Sequence, residues 1–284
     1  RFDAVFSRTV IYLNGVEVGR HRGGFTPFVL DVTQAITCGS SNTLVMAVTS
    51  ESLEDRLASA SQYAVHPLGG ISRKVTLFAV PPLHVASFHV TTAFDAAFDD
   101  ATMTVSIKLS NQGTVDLEGA TLVFSLLRWP TRTVVQRDAA RTVLPELAAG
   151  DMLERTVEIP ADSPDTWDSE HPNLYVLQCA LRRGPETVQT VERRFGFRQV
   201  EARGNQVFVN GMPVKLRGSD RHEVHPLSGR SLTMVEWRRD AELFREANCN
   251  LIRTSHYPPA EEFIGMCDEL GLFVELEAPI CWVR

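Results

Sequence analysis

Asn250-Leu251-Ile252-Arg253-Thr254-Ser255-His256-Tyr257-Pro258 is the stretch on which the fold reading turns. Residues 250–253 read as a short strand, and polar residues follow its apolar centre at once. A helix pattern lies on either side. Upstream, Thr233-Met234-Val235-Glu236 has the form of a capping box, with Thr233 as the cap and Glu236 three residues on. Met234, Trp237, Ala241, Phe244 and Ala247 then recur at helical spacing and predict one buried stripe. Downstream, residues 261–270 read as a second helix. Its first turn is acidic, which suits the helix dipole, and Gly271 is placed as its C-terminal cap. Residues 272–276 form the next strand, and residues 214–216 are expected to be the one before. Strand–helix–strand–helix–strand demands parallel pairing with right-handed crossovers, so an α/β domain opens here. A parallel sheet this narrow would leave unpaired edges. The chain is therefore expected to be a fragment of a longer protein, or its ordered part, and Arg1-Phe2-Asp3 does not read as a natural start.

Further out, residues 1–200 read as strands. Thr9-Val10-Ile11-Tyr12-Leu13 and Val16-Glu17-Val18-Gly19 flank Asn14-Gly15, the strongest short hairpin signal, because both turn residues tolerate positive φ. Residues 42–48 are another apolar strand, and residues 74–80 are predicted as a third. Pro81-Pro82 ends that run and marks a linker. Seven strands follow, near residues 84–94, 102–110, 117–128, 132–143, 152–159, 174–183 and 186–195. That rhythm fits an immunoglobulin-like sandwich. Residues 102–109 alternate cleanly, predicting one buried face and one wet face. A second Asn-Gly hairpin, at Asn210-Gly211, leads into the α/β part.

Composition narrows the function. The 284 residues carry 28 Lys and Arg against 35 Asp and Glu, a net charge of −7. Nucleic-acid binding needs a concentrated basic face, so that class is disfavoured. No apolar run approaches the roughly 18 residues of a membrane span. The five cysteines show no CxxC spacing, which disfavours a disulfide framework and a zinc finger and favours free thiols in a reducing, cytoplasmic compartment.

Polar residues crowd the C-terminal ends of the three α/β strands. Arg217, Asp220, Arg221, His222, Glu223 and His225 follow the first. Arg253, Thr254, Ser255, His256 and Tyr257 follow the second, and Glu275 and Glu277 the third. Parallel α/β barrels build their active sites at that edge. Other chemistries lack their motifs. His222-Glu223-Val224-His225 is one residue short of HExxH, so catalytic zinc is not expected. No GxSxG, GxGxxG or GxxxxGK occurs, which leaves acyl transfer and nucleotide binding without support. Tyr12, Phe25, Phe28, Trp129, Trp167, Tyr175 and Trp237 read as core or hairpin residues, and Trp282 stands near the active-site edge.

Taken together, these motifs resemble the middle of a glycoside hydrolase family 2 enzyme of the β-galactosidase type. Val10-Ile11-Tyr12-Leu13-Asn14-Gly15, Gly23-Gly24-Phe25-Thr26-Pro27-Phe28 and Gly69-Gly70-Ile71-Ser72-Arg73-Lys74-Val75 resemble its sugar-binding jelly roll. Trp167, Pro172-Asn173-Leu174-Tyr175 and Phe195-Gly196-Phe197-Arg198 resemble the close of its immunoglobulin-like domain. Residues 217–226, 250–258 and 267–274 resemble its first three barrel strands. The resemblance implies a multidomain, largely all-β chain. A partial jelly-roll sandwich spans residues 1–82 and an immunoglobulin-like sandwich residues 83–198. The first part of an α/β, (β/α)8 TIM barrel spans residues 199–284.

The resemblance also implies a function: retaining hydrolysis of terminal β-D-galactosides, with a carbohydrate as the partner molecule. β-Glucuronides and β-mannosides are alternatives within the family. A non-catalytic carbohydrate-binding β-sandwich module is the alternative of another class, and its sugar binding would survive deletion of residues 199–284. His222 and His256 resemble histidines that contact the sugar. Arg253 resembles an arginine beside the nucleophile, and Glu277 an acidic residue that supports the site. The two catalytic glutamates of the family lie on later strands, so no catalytic residue is assigned here and the fragment alone is expected to be inactive. No cofactor is expected. Magnesium or sodium stays open for the parent protein, although Cys281 falls near the position of a magnesium-binding glutamate in some β-galactosidases. Ala64 stands where some members place a sugar-contacting aspartate. The resemblance leaves a homo-oligomer open.

Overall fold

A computed structural model describes residues 1–54 and 69–279. Ala64, Cys281 and Trp282 lie outside the described residues. The chain divides into two compact units. One joins Arg1–Phe78 to Leu216–Cys267 and the residues from Leu272 onward; the other joins Ala79–Lys215 to Asp268–Gly271.

The first unit begins with β1 (Val5–Phe6), β2 (Arg8–Leu13), β3 (Val16–Arg22), β4 (Leu44–Thr49) and β5 (Gly70–Ile71). The expected hairpin is present: Leu13 faces Val16 across Asn14 and Gly15, whose φ angles are 52° and 83°. β2 lies between β3 and β4, and its Ile11 and Leu13 are buried. β1 pairs with β5. The strand predicted over residues 74–80 does not form. An isolated bridge between Val75 and Phe2 is made there, with the backbone hydrogen bonds Asp3 N–Lys74 O, Thr76 N–Arg1 O and Arg1 N–Thr76 O. Leu77 and Phe78 are exposed, so the apolar run has no surface to bury against. Apolar content alone does not make a strand without a neighbour.

The second unit holds β6 (Leu83–Phe94), β7 (Ala101–Asn111), β8 (Ala120–Arg128), β9 (Val134–Val143), β10 (Met152–Ala161), β11 (Tyr175–Arg183) and β12 (Glu186–Phe195). All seven expected strands are present; the prediction over residues 117–128 starts early, since β8 begins at Ala120. They form two antiparallel sheets, β10-β7-β6 and β12-β11-β8-β9, which face each other across one apolar core. Along β7 the buried residues Met103, Val105, Ile107 and Leu109 alternate with more exposed ones, as predicted. Trp167 is buried, donates its indole N–H to the carbonyl of Asp268 at 2.7 Å and carries the Arg198 guanidinium 4.8 Å above its ring.

β13 (Val200–Arg203), β14 (Gln206–Val209) and β15 (Met212–Val214) complete that unit as a small antiparallel sheet. Asn210 and Gly211 turn its hairpin at φ 50° and 76°. Residues 214–216 therefore do not supply the first parallel strand, as the sequence suggested. That strand is β16 (Gly218–Arg221), followed by α1 (Met234–Glu246), β17 (Leu251–Thr254), α2 (Glu261–Leu270) and β18 (Phe273–Leu276). The correction has a physical cause: Gly218 pairs with Leu251 so closely that a Cβ would sit 1.9 Å from the Leu251 carbonyl oxygen. The sheet is parallel in the order β16-β17-β18.

The capping box of α1 forms as expected between Thr233 and Glu236. Its buried stripe is narrower than the spacing implied. Trp237 and Ala241 are buried, whereas Met234 and Ala247 are exposed at the helix ends, beyond the packed face. α2 buries Phe263, Met266 and Cys267, and Gly271 follows at φ 68°. No described helix is long and apolar enough to cross a membrane.

Candidate active site

Parallel register builds the site. Asp220 of β16 lies beside Arg253 of β17, and Arg253 beside Glu275 of β18. Residues paired in this way project from the same face of the sheet. The Arg253 guanidinium accordingly reaches Asp220 at 3.1 Å and Glu275 at 3.5 Å. It also pairs with Glu277, just past the end of β18. The Asp220 hydrogen bond is the main reason that the guanidinium pKa is raised further, so Arg253 stays charged.

The other oxygen of Glu277 lies 2.9 Å from Nδ1 of His256. A carboxylate partner keeps a proton on Nδ1, so a neutral His256 presents Nε2 as an acceptor. The Glu277 amide donates to the Thr254 hydroxyl at 3.4 Å, which ties β17 to β18 beyond their ladder. The His222 ring meets the His256 ring edge to face, with centroids 5.5 Å apart. His222 is exposed as a residue, yet neighbouring atoms partly desolvate its ring. Together with His256 and Arg230, that desolvation lowers its pKa and favours the neutral form.

His222, His256, Arg253 and Glu277, all singled out from sequence, thus converge at one sheet edge. The remaining polar residues of the three strand ends divide. Alternation along β16 sends Arg221 to the opposite side from Asp220; it is buried, pairs with Asp240 at 2.8 Å and covers Phe263. Arg217 lies before β16, where its amide donates to the Asn250 side chain. His225 turns into its own loop and accepts amide hydrogen bonds from Leu227 and Ser228. Among the described residues, no three His, Cys, Asp or Glu side chains converge as a metal-binding set.

A supporting layer was not visible in the sequence. The Tyr257 hydroxyl accepts from the Glu223 amide at 2.9 Å and from the Arg230 guanidinium. Its ring stacks on Phe25 at 4.5 Å, and burial pushes its phenol pKa up. Glu223 is buried against Arg73. The Gly69–Val75 motif contains Arg73, but nothing local to it names a partner so far along the chain.

Comparison with known proteins gives two family matches along the chain. A family model described as glycosyl hydrolases family 2 matches residues 83–198, and one described as the TIM barrel domain of glycosyl hydrolases family 2 matches residues 200–282. A β-galactosidase from Enterobacter cloacae is 33% identical over 285 residues, covering 98% of this chain and 27% of that protein. A β-galactosidase from Thermoanaerobacter pseudethanolicus is 31% identical, covering 98% of this chain and 36% of that protein. The crystal structure of a Bacteroides uniformis β-glucuronidase matches with a TM-score of 0.86 and 29% identity, over 98% of this chain and 34% of that one. The chain therefore spans roughly a third of the length of the proteins it matches.

Proposed function

The chain belongs to glycosyl hydrolases family 2, and on that premise we propose that it forms part of a retaining exo-glycosidase acting on terminal β-D-galactosides. Retaining hydrolysis uses two carboxyl groups about 5–5.5 Å apart, one donating a proton to the leaving oxygen and one attacking the anomeric carbon. We assign neither role within these residues. Glu275 and Glu277 both face Arg253, and Glu277 also holds His256. The chain's part is to hold the sugar and its surroundings. His222 and His256 offer ring nitrogens to hydroxyl groups, Glu277 fixes the His256 tautomer, and Arg253 pairs with the carboxylates around it. This chemistry runs on side chains and calls for no redox cofactor. The absence of CxxC spacing among the five cysteines of the sequence is the reason for assigning a reducing, cytoplasmic compartment.

The observation that carries the choice of sugar is the charge at the strand edge. Asp220, Glu275 and Glu277 surround the guanidinium of Arg253, and with Arg230 acting on His222 nearby these three carboxylates still outnumber the two guanidinium groups. A uronate would bring a further carboxylate to this edge, whereas a neutral hexose brings only hydroxyls. Assay of the whole protein on a panel of aryl β-glycosides tests the reading. The β-galactoside is expected to give the highest kcat/KM. A preference for the β-glucuronide would favour the second reading, a β-glucuronidase, which the likeness to the Bacteroides uniformis enzyme supports. The 284-residue chain on its own is expected to hydrolyse none of them; turnover by this chain would show that the catalytic carboxyls lie within it.

A further inference from the structure

Arg73 and Glu223 form an ion pair that the proposed chemistry does not use. Their side chains are only 5% and 6% exposed, and the charged groups meet at 2.7 Å. The two residues are 150 positions apart, so the chain does not bring them together by proximity. Desolvation of both charges largely offsets their attraction, so such a pair is weak evidence for stability and calls for another account.

Its other contacts supply one. The Arg73 guanidinium also donates to the Pro258 carbonyl at 2.7 Å. The second oxygen of Glu223 accepts from the Ala260 amide at 3.4 Å, while the Glu223 amide donates to the Tyr257 hydroxyl. One buried pair thus grips two loop segments, at Glu223 and at residues 257–260. Glu223 directly follows His222, and Tyr257 directly follows His256. Resting on the glycosidase reading above, we infer that Arg73, acting through Glu223, is a positioning residue that fixes His222 relative to His256 at the sugar. Arg73 touches neither ring; it sets where the backbone presents them.

The test is a double-mutant cycle in the whole protein: wild type, Arg73→Met, His222→Ala and the double variant. Each is assayed on the aryl β-glycoside that the wild type turns over best, with thermal unfolding followed in parallel. Arg73→Met is expected to lower kcat/KM roughly 100-fold, the loss that a displacement of about 1 Å produces. Once His222 is misplaced, deleting it should cost little more, about threefold or less, against a far larger factor in the wild type. Equal His222 factors in both backgrounds would overturn the inference, because a purely structural role changes the amount of folded enzyme and leaves that factor intact. If Arg73→Met does not fold, Arg73→Lys and Glu223→Gln carry the same cycle. Both hydrogen bonds of Arg73 leave one terminal nitrogen, so a lysine ammonium can donate to the same two acceptors but from a shorter stem, and partial recovery is expected from it. A wild type inactive on every glycoside would sink the glycosidase reading and this inference with it. An active wild type with equal factors sinks the inference alone.

Discussion

Glu277 joins the two kinds of group that the site depends on, a fixed cation and a titratable ring. It pairs with Arg253 through one oxygen and with His256 through the other. Glu277→Gln keeps the shape, removes the charge and can no longer accept at both oxygens. Hydrogen bonds to charged groups contribute about 1.5–3 kcal/mol, so kcat/KM of the whole protein should fall by roughly 10- to 100-fold. An unchanged value would mean that Glu277 does not orient the site. His222 gives a second, separate handle. Its pKa lies below the ordinary 6.5 because its ring is partly desolvated and faces His256 and Arg230. The folded state therefore binds fewer protons than the unfolded one. Stability from this ring is present above 6.5 and is lost as the pH falls towards the lowered folded value. His222→Gln should remove that part of the acid sensitivity, as measured by chemical unfolding at several pH values, and an NMR titration of His222 above 6.5 would contradict it. The positions of Arg253, His256 and Glu277 were legible in sequence because each lies at or just past the end of a short apolar strand, and a parallel sheet gathers such ends. Arg73 was not, since its partner is fixed only by tertiary folding.

At the scale of elements, the legible parts are those whose signal is local. The capping box of α1 is written in Thr233 and Glu236 alone, and the structure forms both of its hydrogen bonds. Thr233→Ala should destabilise the protein by about 1 kcal/mol, read as a lower urea midpoint with unchanged slope. β16 shows the opposite case. Gly218-Ser219-Asp220-Arg221 has no apolar pattern, because its pairing with β17 rather than its side chains makes it a strand. The apolar residues 74–80 looked more like a strand and are not one. Gly218 is the residue that admits the pairing, so Gly218→Ala must push β16 away from the Leu251 carbonyl. A cost of about 1–3 kcal/mol is expected, the range of overpacking a close contact. The same substitution at Gly184, where an added Cβ meets nothing but φ is 55°, involves only backbone strain and serves as the control. Equal losses at the two positions would argue against the close approach as the cause.

At the scale of the whole molecule, the sandwich unit carries the larger core, with Phe124, Leu126, Leu177, Cys179 and Leu181 buried between its sheets. It was the most legible part of the chain, because seven strand-length runs recur at short intervals and residues 102–109 alternate cleanly. Cys179 lies at the centre of that core, and burial pushes its thiol pKa up to about 12. In the native state at pH 8 it is therefore neither exposed nor ionised, while Cys38 is exposed. A thiol reagent should label Cys38 at once and Cys179 only when the sheets separate. Leu177, fully buried on the same strand, sets the scale of that opening. Leu177→Ala should cost about 2–5 kcal/mol. If the whole sandwich must open to expose the thiol, the mutation raises Cys179 labelling by roughly 30-fold or more, in step with the loss of stability. Labelling that stays constant while stability falls would mean that the strand end near Arg183 opens by itself. The core would then be two layers with separate stabilities instead of a single packed interior.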